Sequence, residues 1–571
     1  MPVFNPHLTR RKPRNGTETQ LKLITAEYTG SSAIPATVSV RDVRDAPSPI
    51  QIGPSVSPRG SSVIPRGSSV ILDTTELQLV PCGMLGRMRF LDLAVILAYL
   101  VGITLFGARF KKNQSTLKDY FLGGREAPWW AIGFSIVSAE TSTLTVIGTP
   151  ALSFNGNFGF LQVVFGYLLA RLIISSVFLP AYFRGEMFTA YELMQRRFGP
   201  RIRKLTAGLF LILRALAEGV RVFAISIVVS IVLGTGNMLS IVLIVCLTLF
   251  YTFEGGMTAV IWTDVIQMLL YVVGAIASLF VILGQIDGGW AHVAAVASDA
   301  NKFQIFDFGF ALTPAFFTKT YSFWAGVIGG CFLTTASHGT EQLMVQRLLS
   351  AGSEKESRAA LFSSWFVILF QFTLFLVIGT CLFVYYGDRH LVPPSPPDRI
   401  YPEFIWNHLP FGISGLIIAA ILAAAMSNLS AALNSLASTT VMDFYKPLTG
   451  GSKPESYYLK VARHATLLWG AVLFAIALVA QNTESVLQAG LSIASILYGS
   501  LLGVFLLGLL TKKIGENAAM AGMIAGFVLM LYVKFQTSIA WTWYVLIGTC
   551  VTFGVASIAS VFLKEPPSRA N

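Results

Sequence analysis

The sequence predicts an all-α protein that crosses a membrane about thirteen times, and three observations lead to this fold class. The 571-residue chain is 54% hydrophobic and 12% charged, whereas a soluble protein usually carries about 25% charged residues. Its mean hydropathy is +0.66. From Arg89 onward, apolar runs alternate with short loops, and many runs reach the ~20 residues that a helix needs to cross a bilayer.

Residues 1–88 differ from the rest of the chain. They are rich in Ser, Pro, Arg and Thr, lack a hydrophobic period, and repeat SPRGSSV as IPRGSSV within 57–70. Such a composition predicts a disordered tail, and the tail has no apolar h-region of a signal peptide. The alternative is an over-extended gene start, with Met84 or Met88 as the true first residue.

A membrane domain at 89–563 follows, with residues 564–571 as a C-terminal tail. Lys and Arg concentrate in alternate loops, such as 183–204 and 446–463. The positive-inside rule therefore predicts a cytoplasmic C-terminus, and we expect the protein to lie in the plasma membrane. The first helix then starts outside together with the basic tail, which departs from the rule. The expected spans are 90–109, 129–150, 158–182, 205–234, 238–253, 257–283, 322–345, 358–386, 411–445, 460–481, 485–510, 517–534 and 539–563.

Polar residues interrupt the second span. The sequence SAETST at 138–143 puts Glu140 in mid-span, and Gly148 and Pro150 follow. A charged side chain at the bilayer centre costs about 2.5–3.5 kcal/mol, and hydroxyl side chains can bond to the helix backbone and loosen it. We therefore expect an interrupted helix with a functional role. The alternative is a helix kept polar only to pack against its neighbours.

Two further spans carry charged or titratable side chains. The seventh span surrounds His338 with glycines and hydroxyl groups at 329–339, which predicts a second interrupted helix. A histidine that only bonds to a neighbouring helix is the alternative. In the fourth span, Arg214, Glu218 and Arg221 are spaced to lie on one helix face, where they can pair. A purely structural ion pair is the alternative there.

The ninth span contains the stretch AAAMSNLSAALNS, whose polar residues share one side. Ser427, Ser430 and Asn434 follow the i, i+3, i+7 pattern of one helix face, and the alanines allow another helix to approach closely. Hydroxyl and amide oxygens suit a hard cation such as Na⁺, and carbonyls freed by a broken helix can complete its shell. At a rise of about 1.5 Å per residue, Ser427, Asp264 and Ser138 are expected at a similar depth in the membrane.

These features resemble the sodium:solute symporters, which include the sodium–glucose, sodium–proline and sodium–monocarboxylate carriers. The resemblance covers about residues 89–563 and implies a leucine-transporter-like fold. That fold has two inverted five-helix repeats, here about 129–283 and 322–510, each with its first helix unwound at the midplane. The motifs that carry the resemblance are DYFLGGRE, IVSAETSTLTVIGTP, TFEGGMTAVIWTDVIQ and MSNLSAALNSLASTTVMDFY, at 119–126, 136–150, 252–267 and 426–445.

The resemblance also implies the residues that hold sodium. The family's main site takes backbone carbonyls and two side chains, which fall here on Ser138, Thr141, Ala424, Ser427 and Asn428. Asn428 is a departure, because Ser or Thr is usual at this position. A second sodium site of some members corresponds to Asp264, Ser427 and Ser430, with Ala431 where a further hydroxyl is expected.

The function implied by the resemblance is sodium-coupled symport, in which sodium and solute raise each other's affinity. The sequence GTP at 148–150 is like that of the monocarboxylate, vitamin and iodide branch. We therefore expect a small organic anion such as a monocarboxylate, with an amino acid or a sugar as alternatives. The candidate solute contacts are Glu140, Ser142, Arg221 and His338, and we expect Glu140 to pair with Arg221 in one conformation.

Three other classes of protein fit less well. An ion channel would need a continuous polar pore, whereas the polar clusters here are separate. A transporter-like sensor would need a signalling domain, and residues 564–571 are too few for one. No nucleophile–base pair or metal motif indicates an enzyme, so no catalytic residue is expected. The expected partners are a small-molecule solute and the lipid bilayer, with Na⁺ as coupling ion, no organic cofactor, no nucleic acid, and a monomeric chain.

Overall fold

The computed structural model describes residues 22–27, 37–42, 82–109, 123–184, 190–251, 256–450, 452–483 and 485–563. Within the N-terminal tail, strands β1 (Lys22–Glu27) and β2 (Thr37–Asp42) form an antiparallel pair. This hairpin is regular structure that the tail's composition does not predict. The rest of the tail before Cys82 lies outside the described residues, so its disorder stays a prediction.

The remainder of the described chain is helical, as its hydropathy predicts. The first group of helices is α1 (Cys82–Ala108), α2 (Trp129–Glu140), α3 (Thr143–Asn155), α4 (Phe158–Phe183), α5 (Ala190–Arg197), α6 (Pro200–Leu233), α7 (Asn237–Tyr251), α8 (Gly256–Gly284) and α9 (Gly289–Asp299). The second group is α10 (Phe323–Gly339), α11 (Gln342–Leu349), α12 (Glu354–Asp388), α13 (Ile400–His408), α14 (Ile413–Thr439), α15 (Glu455–Ala480), α16 (Val486–Leu510), α17 (Glu516–Gln536) and α18 (Tyr544–Phe562).

The number of membrane crossings agrees with the sequence only approximately. Within the described residues, 9 helices are long and apolar enough to cross a membrane, or 10 if the bent pair α2–α3 is one span. Helices α1 and α7 contain shorter apolar stretches, at Phe90–Ile103 and Asn237–Cys246. Helices α10 and α11 are divided by a break. These three places are the remaining predicted spans, so the exact count of thirteen stays a prediction.

Two broken helices organise the fold, because α2–α3 opens the first expected repeat and α10–α11 opens the second. Helix α2 packs between α8 and α12, and α3 packs against α12, α14 and α16. Helix α10 runs along α4 at close range. A Cβ atom on Gly330 would collide with the backbone of Val163, and one on Gly166 would collide with the backbone near Val327. Gly330 thus serves helix packing, whereas the helix itself breaks only after Gly339.

Candidate functional site

The first break lies where the sequence predicts it. Helix α2 ends at Glu140, Thr141 leaves helical geometry with φ −86° and ψ 81°, and α3 then runs at 66° to α2. The Thr141 hydroxyl holds this turn against α12, where it accepts a hydrogen bond of 2.8 Å from Gln371 Nε2. The predicted interruption of the second span is therefore confirmed, and Pro150 lies inside α3 rather than at the break.

At the break, two backbone N–H groups donate to different carbonyl oxygens from those they would reach in a continuous helix. In a continuous helix, the Ser142 N–H would donate to the Ser138 carbonyl oxygen. Here it donates to Glu140 O at 3.2 Å, and the Thr145 N–H donates to Ser142 O at 2.9 Å rather than to Thr141 O. The carbonyls of Ser138 and Thr141 thus lose their i+4 partners. Carbonyl oxygens freed at a broken membrane helix can coordinate a sodium ion.

The other half of the expected sodium site lies on α14. Helix α14 packs against both α3 and α8, which brings it beside the first break. Ala424 and Ser430 are buried and Asn428 is half-buried, whereas the side chain of Ser427 lies outside the described groups. The assignment of Ser138, Thr141, Ala424, Ser427 and Asn428 to one sodium site stays a prediction.

The Asp264 carboxylate has a cationic partner that the sequence did not reveal. Arg347 of α11 donates to Asp264 Oδ2 at 2.9 Å, and Ser135 of α2 donates to the same oxygen at 2.6 Å. Arg347 Nε also donates to Ser135 Oγ at 2.9 Å. The Arg347 side chain is only 3% exposed. The carboxylate expected to hold a second sodium ion is therefore already neutralised by a guanidinium in this structure.

The second break also contains an acidic residue. Helix α10 ends at Gly339 and α11 begins at Gln342, so the predicted second interruption is confirmed. The Tyr182 hydroxyl donates to Gly339 O at 2.5 Å. Glu341, between the two half-helices, accepts hydrogen bonds from Arg214 Nη1 at 3.0 Å and from the Tyr498 hydroxyl at 2.5 Å.

Glu140 pairs with other residues than the one expected. Its Oε2 atom lies 3.4 Å from Arg171 Nη2 and 3.4 Å from His338 Nε2. Arg171 is fully buried and also donates to Leu361 O at 3.0 Å. The expected pairing of Glu140 with Arg221 is thus not the one in this structure, because α4 and α10 pack beside the break. Arg171 lies in an apolar run of the sequence, so its charge could have marked it as a candidate functional residue.

The arginines of α6 do share one helix face, as their spacing predicts. Arg214 Nη2 lies 3.0 Å from Glu218 Oε1, and Arg221 pairs with the same oxygen. Arg214 is additionally held by Glu341 and is 8% exposed, whereas the Arg221 side chain is 26% exposed. The Nε atoms of both arginines lack a hydrogen-bond partner among the described residues, so the difference between them lies in their exposure and in the contact of Arg214 with Glu341. Arg221 is therefore the more available of the two guanidiniums.

A cavity of about 150 Å³ joins the two breaks. All four candidate solute contacts lie on its wall, which includes Glu140, Ser142, Arg221, His338, Glu341 and Tyr498. The phenyl ring of Phe160 borders both this cavity and a larger one of about 920 Å³ at the α3–α4 end of the bundle. The sequence thus predicted residues that do share one cavity, although a role in solute binding remains a proposal.

Two broken helices that face one cavity in an apolar helical bundle are typical of a secondary transporter. The chain belongs to the sodium:solute symporter family, whose family model matches residues 120–526. Members of this family are transporters rather than enzymes.

The relatives agree with this assignment. The chain is 31% identical over 475 residues to the sodium/sialic acid symporter SiaT of Proteus mirabilis, which covers 81% of this chain and 92% of that protein. It is 27% identical to human sodium-coupled monocarboxylate transporter 2, over 82% of this chain and 77% of that protein. A solved substrate-bound, outward-open Na⁺-coupled sialic acid symporter aligns with a TM-score of 0.72 and 28% identity, over 84% and 99% of the two chains. The leucine-transporter-like fold expected from the sequence is therefore correct.

Proposed function

We propose that the protein is a sodium-coupled symporter that imports a small organic anion, with monocarboxylates as the leading class. The position of Arg221 on the cavity wall carries this proposal. Arg214 is held by two carboxylates, whereas Arg221 shares Glu218 with Arg214, and its side chain is 26% exposed and lines the cavity. A carboxylate in the cavity can accept charge-assisted hydrogen bonds from such a group. The named solutes of the relatives, sialic acid, monocarboxylate and iodide, are likewise acids or anions.

The balance of fixed charges explains why an anion would need sodium. Among the described residues that line the cavity or pair with its lining, the carboxylates of Glu140, Glu218 and Glu341 balance the guanidiniums of Arg171, Arg214 and Arg221. An anion that bound alone would leave an uncompensated charge inside the membrane, which is expensive. An anion that binds together with Na⁺ adds no net charge. Electrostatics thus favours joint occupancy, which is the basis of thermodynamic coupling.

Sodium is proposed to bind between the first break and α14. The carbonyls of Ser138 and Thr141 would face the carbonyl of Ala424 and the side-chain oxygens of Ser427 and Asn428. Oxygen ligands without a nearby uncompensated charge suit a hard monovalent cation. A second sodium ion at Asp264 would have to displace Arg347, and we therefore propose one sodium ion per solute. In the plasma membrane, the basic loops would lie in the cytoplasm and the α3–α4 end would face outside.

Uptake into proteoliposomes tests the proposal. Labelled lactate, sialic acid, proline and glucose are offered under an inward Na⁺ gradient, and again with K⁺ or choline in place of Na⁺. We expect uptake of an acid that requires Na⁺. Sodium-independent uptake would contradict symport, whereas a preference for proline or glucose would contradict the anion assignment but leave symport intact.

A pair of variants tests the role of Arg221 itself. Arg221→Gln should raise the KM for the acid at least about tenfold, because a charge-assisted hydrogen bond contributes roughly 1.5–3 kcal/mol. Arg358→Gln is the matched control, since that arginine pairs with Glu354 at the surface of α12. An unchanged KM in Arg221→Gln would exclude this arginine from the solute site.

A further inference from the structure

The segment between α9 and α10 exposes large apolar side chains in a regular alternation. Phe306, Phe308, Phe310 and Leu312 are 41%, 60%, 62% and 79% exposed, respectively. The neighbours of the first phenylalanine, Ile305 and Asp307, are only half-exposed, whereas the small residues Gly309 and Ala311 farther along are exposed as well. Alternation of this kind places successive side chains on opposite sides of an extended backbone. We refer to the four exposed residues as the phenyl strip.

The inward side of this segment is fastened to the helical bundle. The Asp307 N–H donates to Gln162 Oε1 at 3.1 Å, and the Asp307 carbonyl accepts from the Phe323 N–H at 2.8 Å. The Asp307 carboxylate accepts from the Gly309 N–H at 3.2 Å and pairs with Lys319. These bonds turn Asp307 toward the protein. The phenyl rings lie on the other side, where one edge packs on Phe323 and Trp324 of α10 and the rest of each ring stays exposed.

The strip continues a surface of α4 that faces lipid. The Phe306 ring stacks on Phe165 of α4, with 5.6 Å between centroids and an interplanar angle of 22°. Phe165 shares a helix face with Leu169 and Leu172, which are 43% and 51% exposed. Phe165 follows the first residue of α4 by seven positions, which is about 10 Å along the helix axis. The strip therefore begins near the α3–α4 end of a helix that is long and apolar enough to cross a membrane.

An apolar surface of this size requires a covering partner. Complete burial of one Phe side chain is worth roughly 1.5–3 kcal/mol, and contiguous exposed apolar patches mark interaction surfaces. The strip is continuous with the exposed apolar face of α4, which we expect to contact lipid. Lipid can therefore cover the strip without a second protein. Phenyl rings also lack the polar tip of Trp or Tyr, and thus suit the upper acyl chains rather than the headgroups.

We propose that residues 305–312 form an interfacial anchor, whose phenyl strip inserts into the upper acyl chains of the leaflet at the α3–α4 end. The backbone of the segment stays at headgroup level, where its polar groups find protein or water partners. The chain just before the anchor is also bonded to α3, one of the two half-helices of the first break. Lys302, just before it, donates to Phe154 O at 2.7 Å near the end of α3.

Site-directed spin labelling in proteoliposomes tests the anchor. A nitroxide is attached at Phe308→Cys in a chain whose five native cysteines are replaced by alanine and which retains uptake. Its collision rates with O₂ and with a water-soluble nickel chelate are compared with two reference sites. Leu172→Cys is the lipid-facing reference on α4, and His390→Cys is the reference in a water-exposed loop.

We expect the label at position 308 to behave as the label at 172, with high oxygen and low nickel accessibility. Nickel accessibility equal to that at His390→Cys would overturn the proposal. Dipolar broadening at position 308 that disappears on dilution with unlabelled protein would also overturn it, because a second copy of the chain would then cover the strip.

Discussion

Replacement of Arg171 by Met is expected to destabilise the membrane domain strongly. The guanidinium is fully buried and donates to Leu361 O at 3.0 Å, to Tyr167 O at 3.1 Å and to Ser364 Oγ at 3.1 Å, besides its contact with Glu140. Met retains an apolar stem but removes every donor. Loss of one partner of a buried ion pair typically costs about 3–5 kcal/mol, and an unpaired buried acceptor costs about 1–3 kcal/mol. We expect a total loss of about 4–8 kcal/mol.

Glu140→Gln should cost less than Arg171→Met. The Glu140 side chain is 14% exposed at the cavity, and Arg171 keeps its other acceptors when the carboxylate is removed. A loss of about 1–2 kcal/mol is therefore expected. Because the two side chains touch, the double variant should lose less than the sum of the single losses, by about 1 kcal/mol. Glu140→Gln and Arg221→Gln should be additive, since these residues have separate partners here.

The free energy of unfolding is measured by SDS titration of the detergent-solubilised protein. The control is Arg358→Met, which breaks an exposed pair with Glu354 on α12 and should cost at most about 1 kcal/mol. The reasoning is refuted if Arg171→Met costs no more than this control. It is equally refuted if Glu140 couples to Arg221 and not to Arg171.

Three further outcomes are expected. Ser427→Ala should raise the Na⁺ concentration needed for half-maximal uptake, because a hydroxyl ligand is lost, whereas Asn428→Ser should be tolerated. Unchanged sodium dependence in Ser427→Ala would contradict the proposed site. A folded but inactive Asn428→Ser protein would contradict it as well. Burial raises the pKa of Asp398 from 3.8 to about 6, so the folded protein binds this proton more tightly than the unfolded chain, and the resulting stability is lost as pH rises from about 4 to about 6. Asp398→Asn should therefore raise the thermal midpoint at pH 7.5 but not at pH 4, and an equal shift at both values would disprove this. Deletion of residues 1–83 should leave insertion and uptake intact, and loss of either would show that the tail contributes.

The breaks in the helices were predictable because they depend on local sequence. Glu140 among hydroxyl residues marks the first break, and the glycine that ends α10 marks the second. The ion pairs were not predictable in the same way, because the partner of a charge depends on which helix packs beside it. Arg347 illustrates this limit. It lies just after the seventh predicted span, 322–345, where the sequence assigns it no partner, yet the fold turns it inward onto Asp264.

The glycines of the seventh span did not by themselves show where the helix breaks. A glycine inside a membrane helix permits either a break or close helix packing, and the sequence alone does not distinguish the two. Gly330 allows α10 to touch the backbone of α4 at Val163, whereas Gly339 stands at the break itself. The cavity-lining role of Ser142 and His338 could be anticipated, because both lie within one helical turn of a break.

The contacts of the two acids at the breaks suggest how sodium and solute act together. Packing divides the central helices into two sets, with α2, α3, α4, α10 and α12 in one and α6, α7, α14 and α15 in the other. Glu140 and its partners Arg171 and His338 lie within the first set, so this cluster can move as one body. Glu341 follows α10 of the first set by two residues but is held by Arg214 of the second set.

The proposed sodium ligands divide in the same way, because Ser138 and Thr141 belong to the first set and α14 to the second. Relative motion of such bodies is the usual basis of alternating access. A motion that separates the sets would therefore break the Arg214–Glu341 pair and open the sodium site together. It would also leave two guanidiniums of α6, those of Arg214 and Arg221, with Glu218 as their shared carboxylate. That charge imbalance opposes the separation. Sodium would likewise hold the two sets together, in the arrangement where Glu341 pairs with Arg214 and Arg221 is available to the solute anion, so sodium would favour the state that the solute binds.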